Sequence, residues 1–137
     1  MTCGNGVPLA VTVSPGQAHE SKSFEVVMNT VRPKSRRPMW VLGDKGYSYP
    51  RVREWCERRD IWDVIPQRSD QRRRDGQRVF SEFVYKGRNV VERCIGWLKQ
   101  NRRLSTRYEK LATNFVAMIK LAFIDRYLRI LEPSDTA

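Results

Sequence analysis

The chain has 137 residues, enough for one domain or part of one, and a complete domain of that length can bury a sizeable core. Lys and Arg number 26 against 15 Asp and Glu, a formal net charge of +11, which points to a polyanionic partner. Cys3, Cys56 and Cys94 lack metal-ligand spacing, no apolar leader opens the sequence, and the last apolar stretch is interrupted by Lys120, Asp125, Arg126 and Arg129, which speaks against a thiolate metal centre, a signal peptide and a membrane span.

In chain order, residues 8–14 predict a strand, ended by a turn at Pro15-Gly16. Ser21 is an N-cap candidate for an amphipathic helix that places Phe24, Val27, Met28 and Val31 on one face. Residues 33–38 form a basic loop. Residues 39–43 are a short apolar run consistent with a buried strand, and Asp44 follows it directly, with Gly46 permitting a tight exit turn. Pro50 suits the first turn of a helix whose apolar stripe is Val52, Trp55 and Cys56. Residues 62–65 are another short strand, stopped by Pro66. Residues 67–77 are polar and carry Arg72-Arg73-Arg74, as a loop or a DNA-contacting arm. The last helix spans about residues 114–131. Strands alternating with helices argue for an α/β layer architecture.

Between these elements lies the most informative segment, residues 85–99. As one helix starting from Tyr85, it places Arg88 at about −60°, Glu92 at about −20° and Lys99 at about −40°. The apolar residues Val91, Cys94, Ile95 and Leu98 occupy the neighbouring face. One acid flanked by two cations at the edge of a buried face suits a metal ion meeting a phosphodiester; an ordinary surface helix with an i,i+4 Arg88–Glu92 pair is the plainer alternative. Residues 86–110 hold eight bases against Glu92 and Glu109, so the positive excess gathers here.

The plainer assignments elsewhere are structural. Asp44 before Lys45-Gly46 reads as a turn former, His19 as a turn residue, Cys56 and Cys94 as core thiols, and Trp55 and Trp62 as core rings. Trp97 either packs under the last helix or stacks on DNA.

The spacing Tyr85-x2-Arg88-x3-Glu92-x6-Lys99 resembles the signature around the catalytic glutamate of bacterial insertion-sequence transposases with a DDE, RNase H-like catalytic domain. Residues 41–47, Val-Leu-Gly-Asp-Lys-Gly-Tyr, resemble the segment that carries that family's second catalytic aspartate. Flanking stretches at 4–9, 15–19, 64–66 and 102–111 agree, and the resemblance runs from about residue 4 to residue 131. It implies an RNase H-like three-layer α/β fold in which Asp44 and Glu92 are catalytic and ligate Mg²⁺ or Mn²⁺. It also implies that Tyr85, Arg88, Lys99, Arg102, Arg103 and Arg107 hold DNA phosphates.

On the same resemblance, residues 1–137 are the C-terminal part of the catalytic domain. The first strand with its aspartate, most of the second strand and an upstream DNA-recognition domain would lie outside the chain. The implied reaction is DNA transposition: metal-dependent phosphodiester cleavage and strand transfer at transposon ends, inactive in this chain alone. The implied partners are double-stranded DNA at ends and target, the N-terminal half of the same transposase and a second copy of the chain, in a bacterial cytoplasm and with no membrane. Two rivals stand beside it, a non-catalytic nucleic-acid-binding or regulatory transposase remnant and a basic RNA-binding protein of ribosomal type.

Overall fold

The computed structural model describes residues 1–15, 19–31, 38–72 and 79–132. It is a mixed α/β structure with a small parallel sheet. The helices are α1 (Phe24–Thr30), α2 (Pro50–Glu57), α3 (Glu82–Lys86), α4 (Asn89–Gln100), α5 (Arg102–Ser105) and α6 (Ala112–Leu131), and the strands are β1 (Trp40–Leu42) and β2 (Trp62–Val64). The chain divides into two compact units, Ser14–Arg88 and the combination of Met1–Val13 with the segment from Asn89 onward. No helix among the described residues is long and apolar enough to cross a membrane.

The first of these units is a β–α–β arrangement. β1 and β2 pair in parallel, with Trp40 beside Trp62, Val41 beside Asp63 and Leu42 beside Val64. A parallel pair needs a crossover connection, and α2 lies in it. Pro50 opens α2, where its preset φ fits the helix and its missing N–H is no loss. Val52, Trp55 and Cys56 face inward and meet Phe24 from α1 and Ile61 and Ile65 around β2. Phe24 and Trp55 meet edge to face at 5.4 Å. Asp60 takes a left-handed φ of 52° in the turn after α2, a conformation that Asp tolerates better than most residues. Burial pushes the Cys56 thiol up to about 12.

The other unit is helical. Leu104 from α5 joins Ile119, Ala122 and Phe123 from α6, with Val11, Trp97, Leu98, Phe115, Met118 and Tyr127 packed around them. Trp97 is therefore a packing residue, and the Arg126 guanidinium of α6 lies over its ring, 5.4 Å from the centroid. The chain start turns tightly through Gly6, whose φ is +79° and where a Cβ would lie 3.3 Å from Val90 Cγ1. The Tyr127 hydroxyl donates to the Pro8 carbonyl and ties this turn to α6. Cys94 is buried in α4, and burial raises its thiol above the ordinary range.

Four sequence expectations change. The run at 39–43, consistent with a buried strand, gives β1, in which Trp40 is exposed and Val41 and Leu42 are only half-buried, with Met39 before it exposed as well. The strand expected at 8–14 is reduced to an isolated antiparallel bridge between Thr2 and Pro8. Leu9 and Ala10 donate back to the Met1 carbonyl at 2.9 and 3.5 Å, and the residues after them join no ladder. Ser21 does not cap a helix; it is buried within a 3-10 turn at Glu20–Ser23, and its carbonyl accepts from Arg51 Nη2 at 2.6 Å.

The last change concerns residues 85–99, which are not one helix. α3 ends at Lys86 and α4 begins at Asn89. Between them the Gly87 and Arg88 amides reach back only three residues, to Val84 at 3.0 Å and Tyr85 at 2.9 Å, a 3-10 tightening. Residues 16–18, most of the basic loop at 32–37 and the end of the polar arm at 73–78, with Arg73 and Arg74, lie outside the described residues.

Candidate functional site

Asp44 sits immediately past the carboxyl end of β1, the edge of a parallel sheet where α/β proteins place ligands. Two local features hold it there. Gly43 lets the strand end approach β2 closely, because a Cβ would meet Ile65 Cγ1 at 3.3 Å and Tyr47 at 3.4 Å. The Gly43 amide also donates to the Val64 carbonyl at 3.4 Å, extending the pairing by one bond. Asp44 then caps the 3-10 turn Lys45–Tyr47, with Oδ1 accepting the Gly46 N–H at 2.8 Å. The turn-forming role is thus present. It does not use up the carboxylate, which offers about four acceptor positions.

Four residues on from Asp44, Ser48 enters a buried polar network that was not legible in the sequence. Arg53 on α2 pairs with Asp63 in the middle of β2, their side chains 12% and 13% exposed. The same guanidinium donates to Ser48 Oγ at 2.9 Å and to the Ile65 carbonyl at 3.1 Å. Ser48 is fully buried; its hydroxyl donates to Gln71 Oε1 at 2.6 Å, and Gln71 Nε2 donates to its carbonyl at 2.7 Å. This clamp joins α2, the end of β2 and the turn that follows Asp44. Burial raises the Asp63 carboxyl above its ordinary value, against the opposing pull of Arg53. The signal in the sequence was a lone charge inside the apolar run Trp62-Asp63-Val64-Ile65, which needs a buried counter-charge.

Close by, the Tyr49 hydroxyl lies 2.6 Å from His19 Nε2 and accepts from Arg68 Nη1 at 2.9 Å. His19 therefore belongs to a polar contact between residues 30 apart in the sequence rather than only to a local turn.

Tyr85 is in α3 and Arg88 in the turn after it. The Arg88 guanidinium lies over the Tyr85 ring, 5.6 Å from its centroid, and Phe80 packs on that ring at 5.2 Å. Glu92 is exposed in the first turn of α4, where a carboxylate is favoured by the helix dipole. Lys99 is exposed in the last turn of the same helix and shares its face, seven residues on.

Arg102, Arg103 and Arg107 are exposed around α5. Arg103 pairs with Glu109 at 3.4 Å and lies over Tyr108, 4.9 Å from the ring centroid. Arg107 adopts a left-handed φ of 48° where the chain leaves α5. Asp44, Tyr85 and Arg88 belong to the unit Ser14–Arg88, and Glu92, Lys99 and the three arginines to the other.

The family described as Transposase DDE domain matches residues 1–124, which include both the Asp44 and the Glu92 segments. The chain belongs to this transposase family. It is 29% identical, over 128 residues, to a Burkholderia cepacia protein named as a transposase for insertion sequence element IS402. That alignment covers 88% of this chain and 57% of the relative, so the chain spans little more than half the relative's length. No solved structure matches.

For a member of the transposase family, the donor chemistry of Asp44 and Glu92 is relevant. Both offer only carboxylate oxygen, the donor type preferred by hard divalent ions. Among the described residues no three His, Cys, Asp or Glu side chains gather as a metal site.

Proposed function

We propose that this chain supplies two of the three metal-binding carboxylates of an RNase H-like nuclease centre, Asp44 and Glu92, and acts in insertion-sequence transposition. The position of Asp44 at the carboxyl edge of a parallel strand, inside the family match, carries the reading. Divalent ions such as Mg²⁺ or Mn²⁺, when bound, stabilise the attacking and leaving oxygens of a phosphodiester. The Gly46 cap orients Asp44, and the Arg53 clamp fixes Ser48 in the turn that follows, so Asp44 would hold an ion from a braced turn. Glu92 presents its carboxylate from the first turn of a helix. Arg88, braced by Tyr85, and Lys99 contact phosphates flanking the scissile one as charge-assisted donors. Arg102, Arg103 and Arg107 extend that contact along the backbone, and binding falls steeply with salt as condensed counterions are released.

On this reading a third carboxylate completes the ion shell beside Asp44 and Glu92. A DNA-bound regulatory product without catalysis is the second reading; the net charge of +11, which DNA binding uses and catalysis does not require, supports it. The test adds the upstream part of the transposase to this chain and follows Mg²⁺-dependent cleavage of transposon-end DNA. The combination cleaves and Glu92→Gln abolishes cleavage. Cleavage that survives both Asp44→Asn and Glu92→Gln overturns the catalytic reading, and absence of cleavage alongside salt-sensitive DNA binding supports the regulatory one.

A further inference from the structure

α6 is apolar on two opposite faces. One is packed: Phe115, Ile119, Ala122 and Phe123 lie in the core of the helical unit, and Arg126 covers Trp97. The other is open to solvent. Leu121, Ile124, Leu128 and Leu131 are 58%, 51%, 54% and 76% exposed. At 100° per residue these four centre roughly 170° from the packed face. A helix apolar all round is ordinarily covered on both sides.

The spacing of the open face is that of a coiled-coil seam. Asn114, Ala117, Leu121, Ile124, Leu128 and Leu131 follow one another by alternating steps of three and four, an unbroken a/d pattern along the whole helix. We propose that this stripe is a self-association surface on which α6 of a second copy of the chain packs in parallel.

Charge complementarity selects that occupant and that direction. With Leu121 and Leu128 at a, Lys120 occupies g and Asp125 the following e. In a parallel pair each Lys120 therefore faces Asp125 of the partner subunit, twice by symmetry. An antiparallel pair would instead set Lys120 against Tyr127 and Asp125 against Met118. Asp125 accepts from Arg129 of its own helix at 2.9 Å, on the surface, so it is oriented outward beside the seam. Asn114 is the one polar residue at a, and such a residue fixes register by pairing with itself. Engagement of the opposite face in the chain's own core leaves one seam per helix, which suits a pair. The stripe covers only about two and a half heptads, but α6 is already held helical by its core, so little ordering cost remains. The inference is independent of the catalytic reading.

Sedimentation equilibrium of the full chain tests it. The unaltered chain is expected to be a dimer. Ile124→Glu combined with Leu128→Glu is expected to raise the dissociation constant by more than about tenfold, with unchanged far-UV circular dichroism, because both side chains are exposed. Lys120→Glu weakens association, and adding Asp125→Lys restores it. In a Cys3→Ser background, Asn114→Cys oxidises to a disulfide-linked dimer. A chain that is monomeric throughout overturns the proposal, as does undiminished association of the double-Glu variant. A charge-swapped double variant weaker than both singles, or failure of Asn114→Cys to cross-link, overturns the parallel arrangement. A monomeric chain that binds the upstream part of the transposase only while Ile124 and Leu128 are intact assigns the stripe to that part instead.

Discussion

Asp44 accepts the backbone N–H of Gly46 at 2.8 Å, so one carboxylate both caps a turn and stands at the end of β1. The two roles respond differently to substitution. Asn keeps an acceptor for the Gly46 amide and removes the charge; Ala removes both.

Asp44→Asn is therefore expected to change stability by less than about 0.5 kcal/mol, and Asp44→Ala to cost about 1 kcal/mol, from the usual ranking of capping residues. Urea denaturation of the two variants checks this. Equal and large losses would show that the charge, rather than the cap, stabilises the turn.

The clamp formed by Arg53 gives a second expectation. Arg53→Ala strands a buried carboxylate and removes the donors to Ser48 and the Ile65 carbonyl, and is expected to cost about 3–5 kcal/mol. Asp63→Asn should cost less, because the amide oxygen still accepts from Arg53. Burial raises the Asp63 carboxyl in the folded chain above the ordinary 3.8. As pH rises just above that value, the unfolded chain loses this proton first. The folded state then carries the extra proton, and the Asp63 contribution to stability falls with rising pH. Comparing the acid-side stability profiles of the parent chain and Asp63→Asn isolates this falling component, which the variant should lack.

Cys56 makes the alkaline counterpart. Its thiol is pushed from 9.0 to about 12 in the folded chain. Between those values the unfolded thiol ionises and the folded one does not, so this group's contribution falls by up to about 1.4 kcal/mol per pH unit. Denaturation midpoints across that window should fall more steeply for the parent chain than for Cys56→Ala. In the native state, thiol reagents should modify the partly exposed Cys3 and spare Cys56 until the chain unfolds.

Trp97 separates packing from base stacking. It contacts the core around Leu104 and Phe123 and is covered by Arg126. Trp97→Ala is expected to lower stability by roughly 3 kcal/mol and Trp97→Phe by much less. A loss of DNA affinity at unchanged stability would assign the ring to stacking on DNA.

Local chemistry made the β1–α2–β2 segment legible in the sequence. Its short apolar runs stop at Gly43 and Pro66, and Pro50 marks the helix between them. The same chemistry misled at residues 8–14, where the residue types suit a strand but ladder formation depends on a distant partner. It misled again at 85–99, because a 3.6-residue period does not register a turn tightened at Gly87 and Arg88. Asp44 and Glu92 stood out through their surroundings in sequence. Ser48 and Gln71 did not, because a short polar residue and an amide become informative only when folding brings Arg53 to them.

The Tyr127–Pro8 hydrogen bond spans nearly the full length of the chain. The helical unit is assembled from both ends of the sequence, whereas residues 14–88 are continuous. During synthesis the continuous unit has all its residues before α4 is made. The other cannot join residues 1–13 to α6 until that helix emerges, and its closure bears the entropy of the intervening loop. Translation thus makes the residues around Asp44 available to fold before those around Glu92.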